Sequence, residues 1–138
     1  MKPFHFVLIT LPLLLLASCT SSESPQSIQE KQAELCTQLA RFNTAVVTLK
    51  SMGPSSTVGD LRAAQDQVRT TFSEVKATAS TVKAAKAEEL EQAYNQLDTT
   101  VRNIPETATL QQANESIATD VAAVEAAQAQ MQSGLSCP

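Results

Sequence analysis

The chain has no tryptophan, a single tyrosine, only three glycines and a single histidine. That histidine is His5, in an apolar leader, so the rest of the chain offers no imidazole for metal ligation, proton shuttling or a Ser/His pair. A di-iron bundle built on Glu-x-x-His motifs is excluded with it. Beyond the leader the aromatics are Phe42, Phe72 and Tyr94, too few for a platform on which bases or sugars stack. Basic clusters are missing as well. The 10 Lys and Arg residues are scattered and face 14 Asp and Glu, which argues against nucleic acid as a partner and against docking on anionic lipid through a polybasic patch. Glu88, Glu89 and Glu91 lie close together, but three carboxylates without a histidine or thiol partner read as a solvated helical charge run. The expectation is therefore no enzyme: no catalytic residue, no metal ligand and no cofactor.

What is present begins with the leader. Residues 1–18 combine Lys2, an apolar run over 6–16 and the small residues Ala17 and Ser18, the layout of a secretory signal peptide. The run is roughly 11 residues long and contains Pro12, whereas a spanning helix needs about 20. The tetrapeptide Leu16-Ala17-Ser18-Cys19 resembles the lipobox of bacterial lipoproteins. That resemblance implies a diacylglyceryl group on the Cys19 thiol, cleavage after Ser18 and acylation of the new amino group. Each buried CH₂ contributes about 0.8 kcal/mol, so two or three chains anchor a protein that one holds only marginally. The bilayer is then a partner through the acyl chains on Cys19. Thr20 stands where an Asp implies retention at the inner membrane. The expected address is the outer membrane facing the periplasm where there are two membranes, and otherwise the outer face of the cytoplasmic membrane. Residues 19–26 are polar and helix-averse after the cysteine, a tether.

The remainder, 27–138, reads as a single all-α domain, an antiparallel helical bundle. Gly53-Pro54 and Pro105 punctuate segments rich in Ala, Gln, Glu, Lys and Leu. A first helix opens at Ser27, where Ser27 and Glu30 have the spacing of a capping box. Its apolar seam is Ile28, Gln32, Leu35, Leu39, Phe42, Val46 and Leu49. A second starts at Thr57 with Asp60 as the acidic partner, and its seam is Leu61, Gln65, Val68, Phe72, Val75, Ala79 and Val82. Residues 83–89 give a core only alanines, after which Leu90, Tyr94, Leu97, Val101 and Ile104 resume in a shifted phase. The last helix begins just after Pro105, presents Leu110, Ala113, Ile117, Val121, Val124 and Met131, and stops at Gly134. The seam 61, 64, 68, 72, 75 has the spacing of 110, 113, 117, 121, 124, which hints at two related helical hairpins.

Two topologies satisfy this pattern. Local propensity contains no breaker over 83–89 and favours three helices with a long middle one over about 57–103. Compactness favours four helices with a bend near 83–89. The reading leans to the long helix. With Cys19 lipidated, Cys36 and Cys137 remain in an exported chain and are expected to pair, a bridge both topologies allow. The early Cys36, the proline turn before Thr57-Val58-Gly59-Asp60-Leu61 and the late Cys137 resemble small helical lipoproteins and secreted proteins of bacteria, a resemblance that implies no activity. The functional expectation is a non-catalytic, membrane-anchored interaction module with a protein partner of the envelope. The alternative is a structural or self-associating coiled-coil-like envelope protein, since heptad-like seams also suit oligomers.

Overall fold

A computed structural model of the chain describes residues 25–83 and 85–138. These residues form four helices and no strand: α1 Pro25–Lys50, α2 Val58–Ala79, α3 Glu88–Asn103 and α4 Leu110–Leu135. Helix α1 packs against α2 and α4, and α3 packs against α4 and α2, so the four form a ring in up-down-up-down order. The expected lipidation site Cys19, the leader and most of the tether lie outside the described residues. None of the described helices is long and apolar enough to cross a membrane.

The apolar seams become one shared core. Leu35, Leu39, Phe42, Val46 and Leu49 of α1 are fully buried, as are Leu61 and Val68 of α2, Leu90 and Leu97 of α3 and Val124 of α4. At its centre Phe72 stacks on Tyr94 with ring centroids 4.0 Å apart, and Phe42 meets Phe72 at 5.9 Å in a tilted pair. Each fully buried Leu or Phe contributes about 1.5–3 kcal/mol over its exposed state. Ile28 departs from its seam and is 48% exposed. It precedes Gln32, which already reaches the last helical residue of α4, so the first turns of α1 extend beyond that partner.

The long middle helix is not formed. Helix α2 ends at Ala79, ahead of the alanine-rich stretch, and α3 starts at Glu88. The backbone tightens to three-residue hydrogen bonds, Thr81 N–H to Thr78 O at 3.0 Å and Val82 N–H to Ala79 O at 3.1 Å. The Ser80 and Thr81 hydroxyls donate to Ala77 O and Thr78 O, each at 2.7 Å. Hydroxyls placed this way compete with the helical ladder. The turn also carries Val82 into the core, where it is 5% exposed. Burial outweighs the modest helix propensity of 83–89, and the compact alternative is the one adopted.

Helix boundaries follow their caps. Thr57 accepts from Asp60 N–H at 3.1 Å while its own N–H donates to the Asp60 carboxylate at 2.8 Å, the expected capping box. Helix α4 starts later than expected, at Leu110, because a second box closes there: Gln112 N–H donates to the Thr109 hydroxyl at 3.3 Å, and Thr109 N–H donates to Gln112 Oε1 at 3.0 Å. Pro105 belongs instead to a turn closed by Ala108 N–H to Pro105 O at 3.0 Å. Helix α1 starts two residues ahead of Ser27, so Ser27 lies inside it. If 61 is aligned with 110, the capping threonines fall three residues out of register, and the likeness of α2 to α4 reduces to shared spacing of apolar residues.

The Asp60 carboxyl is held below its ordinary 3.8 first by the Thr57 backbone N–H and then by the Thr57 hydroxyl, with slight opposition from desolvation. An acid whose pKa falls on folding stabilises the fold above its unfolded pKa, and that contribution is lost as the pH falls through the depressed value. Asp60→Asn should therefore lower the urea midpoint at neutral pH and converge on wild type in a titration carried below pH 3.8. Thr57→Ala removes the cap acceptor itself and should cost about 1 kcal/mol in the same assay.

Candidate functional site

The sequence pointed to Cys36 and Cys137, and the structure brings them together. Their sulfurs are bonded and their Cα atoms lie 5.5 Å apart. Cys36 is in the fourth turn of α1, and Cys137 follows the end of α4. The chain reaches it through Ser136, which adopts a left-handed conformation with φ 54° and ψ 40°. Cys137 N–H closes the helix end on Gln132 O at 3.1 Å, in the manner of a left-handed helix cap. Gly134, the expected stop, is an ordinary helical residue, and the reversal that turns Cys137 toward α1 occurs two residues later.

The polar residues in the seams serve the same closure of α4 on α1. Gln32 Nε2 donates to Leu135 O at the end of α4. Gln128 Nε2 donates to Leu39 O in mid-α1 at 3.2 Å, and Lys50 reaches Glu125 at 2.9 Å near the opposite end of α1. Gln128 was missed in the sequence although it is only 3% exposed. Its signal was there: 121, 124, 128, 131 and 135 continue the same stepping of threes and fours, and Gln128 occupies a core position as Gln32 and Gln65 do.

The opposite pair, α2 and α3, carries an ion network that spacing alone did not reveal. Asp98, with a side chain only 14% exposed, accepts from Arg102 Nη2 at 2.7 Å, Arg69 Nη2 at 3.1 Å and Gln65 Nε2 at 3.4 Å. Arg69 also pairs with Asp66 at 2.9 Å. Arg62 donates to Glu106 at 2.8 Å and to Ile104 O, at the end of α3, at 2.9 Å, where a cation meets the negative end of the helix. The hydrogen bond to Asp98 raises the Arg69 pKa. Burial raises that of Tyr94, with the Asp98 charge acting in the same direction and Arg69 opposing. The run Glu88, Glu89, Glu91 forms the first turn of α3, where carboxylates favour the positive helix end, and Glu91 pairs with Lys76. Among the described residues no group of three or more His, Cys, Asp or Glu could hold a metal ion.

Chemically, this is a helical scaffold closed at one end by a covalent bond, with charges concentrated on its α2–α3 side. No protein-family model, curated protein or solved structure matches the chain.

The bridge spans 101 residues of sequence, and closing a loop of that size stabilises by about 2–5 kcal/mol. Reduction, or the double change Cys36→Ser and Cys137→Ser, should lower the unfolding free energy by that amount while the far-ultraviolet dichroism stays helical. At the same end two substitutions should act in the other direction. A Cβ at Gly134 would meet nothing within 4 Å, so Gly134→Ala should gain about 0.5–1 kcal/mol. Ser136→Gly relieves a left-handed serine and should gain about as much, roughly 0.4–1 kcal/mol by the same denaturant titration.

Proposed function

We propose that the chain is a lipid-anchored helical lipoprotein of the bacterial envelope that acts as a non-catalytic protein-interaction module. The anchor rests on Leu16-Ala17-Ser18-Cys19, which puts the lipidated residue six positions ahead of the first residue of α1. In this reading residues 19–24 are the tether that joins the anchor to the helical domain, whose first helix starts at Pro25. The module then stands close to the outer membrane on its periplasmic side, or to the outer face of the cytoplasmic membrane where there is only one.

The observation that carries the interaction reading is the division of the bundle surface. Ala33, Thr37, Ala40, Thr44 and Val47 of α1 are exposed at helical spacing, and Val47 is 46% exposed. Ala118, Ala122, Ala126, Ala129 and Ser133 form a similar uncharged stripe on α4. These helices pack on each other, and their stripes are lower in charge than the ionic α2–α3 side, with the Lys50–Glu125 pair beside Ala118 and Ala122. Interface cores are depleted of charge in the same way. The apolar seams that would build a coiled-coil oligomer are used within the chain, which favours a module over a self-associating structural protein.

Cys19→Ser should move the protein from the membrane to the soluble fraction while the Cys36–Cys137 bridge and helicity persist. Continued membrane attachment of that variant would overturn the anchor. Crosslinking in cells from a photoreactive residue at Val47 should capture one stoichiometric envelope protein. Capture of only a second copy of this chain would transfer the reading to the structural alternative.

A further inference from the structure

One end of the bundle gathers the start of α1, the turn between α2 and α3, and the finish of α4. Gln32, near the start of α1, donates to Leu135 O at the end of α4, and the Cys36–Cys137 bridge ties the same two segments. Lys86 and Glu89, around the start of α3, line a shallow cleft with Met131, Ser133 and Gly134 of α4. Ile28 lies 22 residues before Lys50, the last residue of α1, and α2 is 22 residues long. Ile28 is therefore level with the end of α2.

An exposed isoleucine is ordinary on a protein surface, so the place of Ile28 is what carries weight. With the proposed anchor, Cys19 stands six residues ahead of Pro25, and six residues span at most about 20 Å. Helix α1 is 26 residues long, about 39 Å at 1.5 Å per residue. The tether is shorter than the helix, so the far end of the bundle cannot turn toward the bilayer. Two postures remain, standing on the near end or lying on one side. Laying the α1–α4 side down would cover the Lys50–Glu125 pair and gain mostly alanine and threonine. Standing on the end covers Ile28 and leaves that pair in water.

We propose that this end of the bundle rests on the lipid surface, with Ile28 dipping below the headgroups and the helices standing along the bilayer normal. The placement rests on the lipid anchor proposed above. One isoleucine would not hold a free protein on a membrane, but the anchor makes the contact intramolecular, so that a weak contact is populated. Gly134, Ser136 and Pro138 at the same end are exposed and uncharged. Lys83 and Lys86 are exposed there too and are matched by Glu88 and Glu89 in the first turn of α3. The contact therefore needs no anionic lipid. Val47, 19 residues beyond Ile28, then stands about 28 Å farther from the bilayer. The α1–α4 side is left open to a protein partner along its length.

The test uses the acylated full-length mature protein, reconstituted in phosphatidylcholine vesicles that carry a nitroxide-labelled lipid as quencher. A fluorophore is placed in turn at Ile28→Cys, Lys86→Cys, Val47→Cys and Ser55→Cys, the last in the turn at the far end. With Cys19 acylated and Cys36 bonded to Cys137, the introduced thiol is the one that reacts. Labels at 28 and 86 should be quenched several-fold more strongly than labels at 47 and 55. Ile28→Asp should lower the population of the contact, read at 86, about fivefold or more, the weight of roughly half an isoleucine's transfer from water. Equal quenching at 28 and 47 would overturn the proposal in favour of a bundle lying on its side. Protein that floats with the vesicles but is quenched at none of the four positions would overturn it too, as would quenching at 86 unchanged by Ile28→Asp. Wild-type protein that does not float with the vesicles at all would overturn the anchor itself, and with it this placement.

Discussion

Val82 lies in the turn between α2 and α3 with its side chain in the core, and the arrangement of the other helices follows from that reversal. Folding back after Ala79 lays α3 beside α2, so that Tyr94 stacks on Phe72 and Phe72 in turn meets Phe42 of α1. It also sets the direction of α4, whose end then returns to the first half of α1. A straight helix from 57 to 103 would satisfy every backbone donor and acceptor locally. It would also leave two hairpins end to end, each with less apolar surface covered. Hydrogen bonding is nearly the same in both arrangements, and burial decides between them.

The ring that results is held unevenly. On the α1–α4 side, two glutamines donate to carbonyls of the facing helix, and a disulfide closes the end. These directional bonds fix register where alanines provide little shape. On the α2–α3 side, register is fixed by charge: Asp98 gathers Arg69, Arg102 and Gln65. Because that carboxylate is mostly shielded from water, its pairs are screened less than the exposed pairs of Arg62 or Lys76. The bundle therefore has one side rich in small uncharged residues, crossed by the Lys50–Glu125 pair, and one side rich in ion pairs.

The elements most legible in the sequence were those governed by local chemistry. The α3 seam at Leu90, Tyr94, Leu97 and Val101 and the α2 seam from Leu61 to Ala79 were legible, whereas the buried Val58 was missed and Val82 lies in the turn; Thr57 with Asp60 closed the box its spacing announced. Errors arose where two local signals competed. The stretch 83–89 contains no breaker, but the Ser80 and Thr81 hydroxyls donate to Ala77 O and Thr78 O, and with the buried Val82 they end α2 several residues earlier. Pro105 and Gly134 were given boundary roles that belong to Thr109 and Ser136. In both places the capping hydrogen bonds set the boundary.

By itself the sequence determined the all-helical class, most of the faces turned inward and Cys36 and Cys137 as candidates for pairing, because each depends on periodicity or residue type within a short window. Only the tertiary structure decided that four helices form instead of three. It also decided that Gln32 and Gln128 secure α4 to α1, and that Arg69, Arg102 and Gln65 meet on Asp98. Those outcomes depend on surface buried between segments distant in sequence, and on which polar groups that burial forces to find partners.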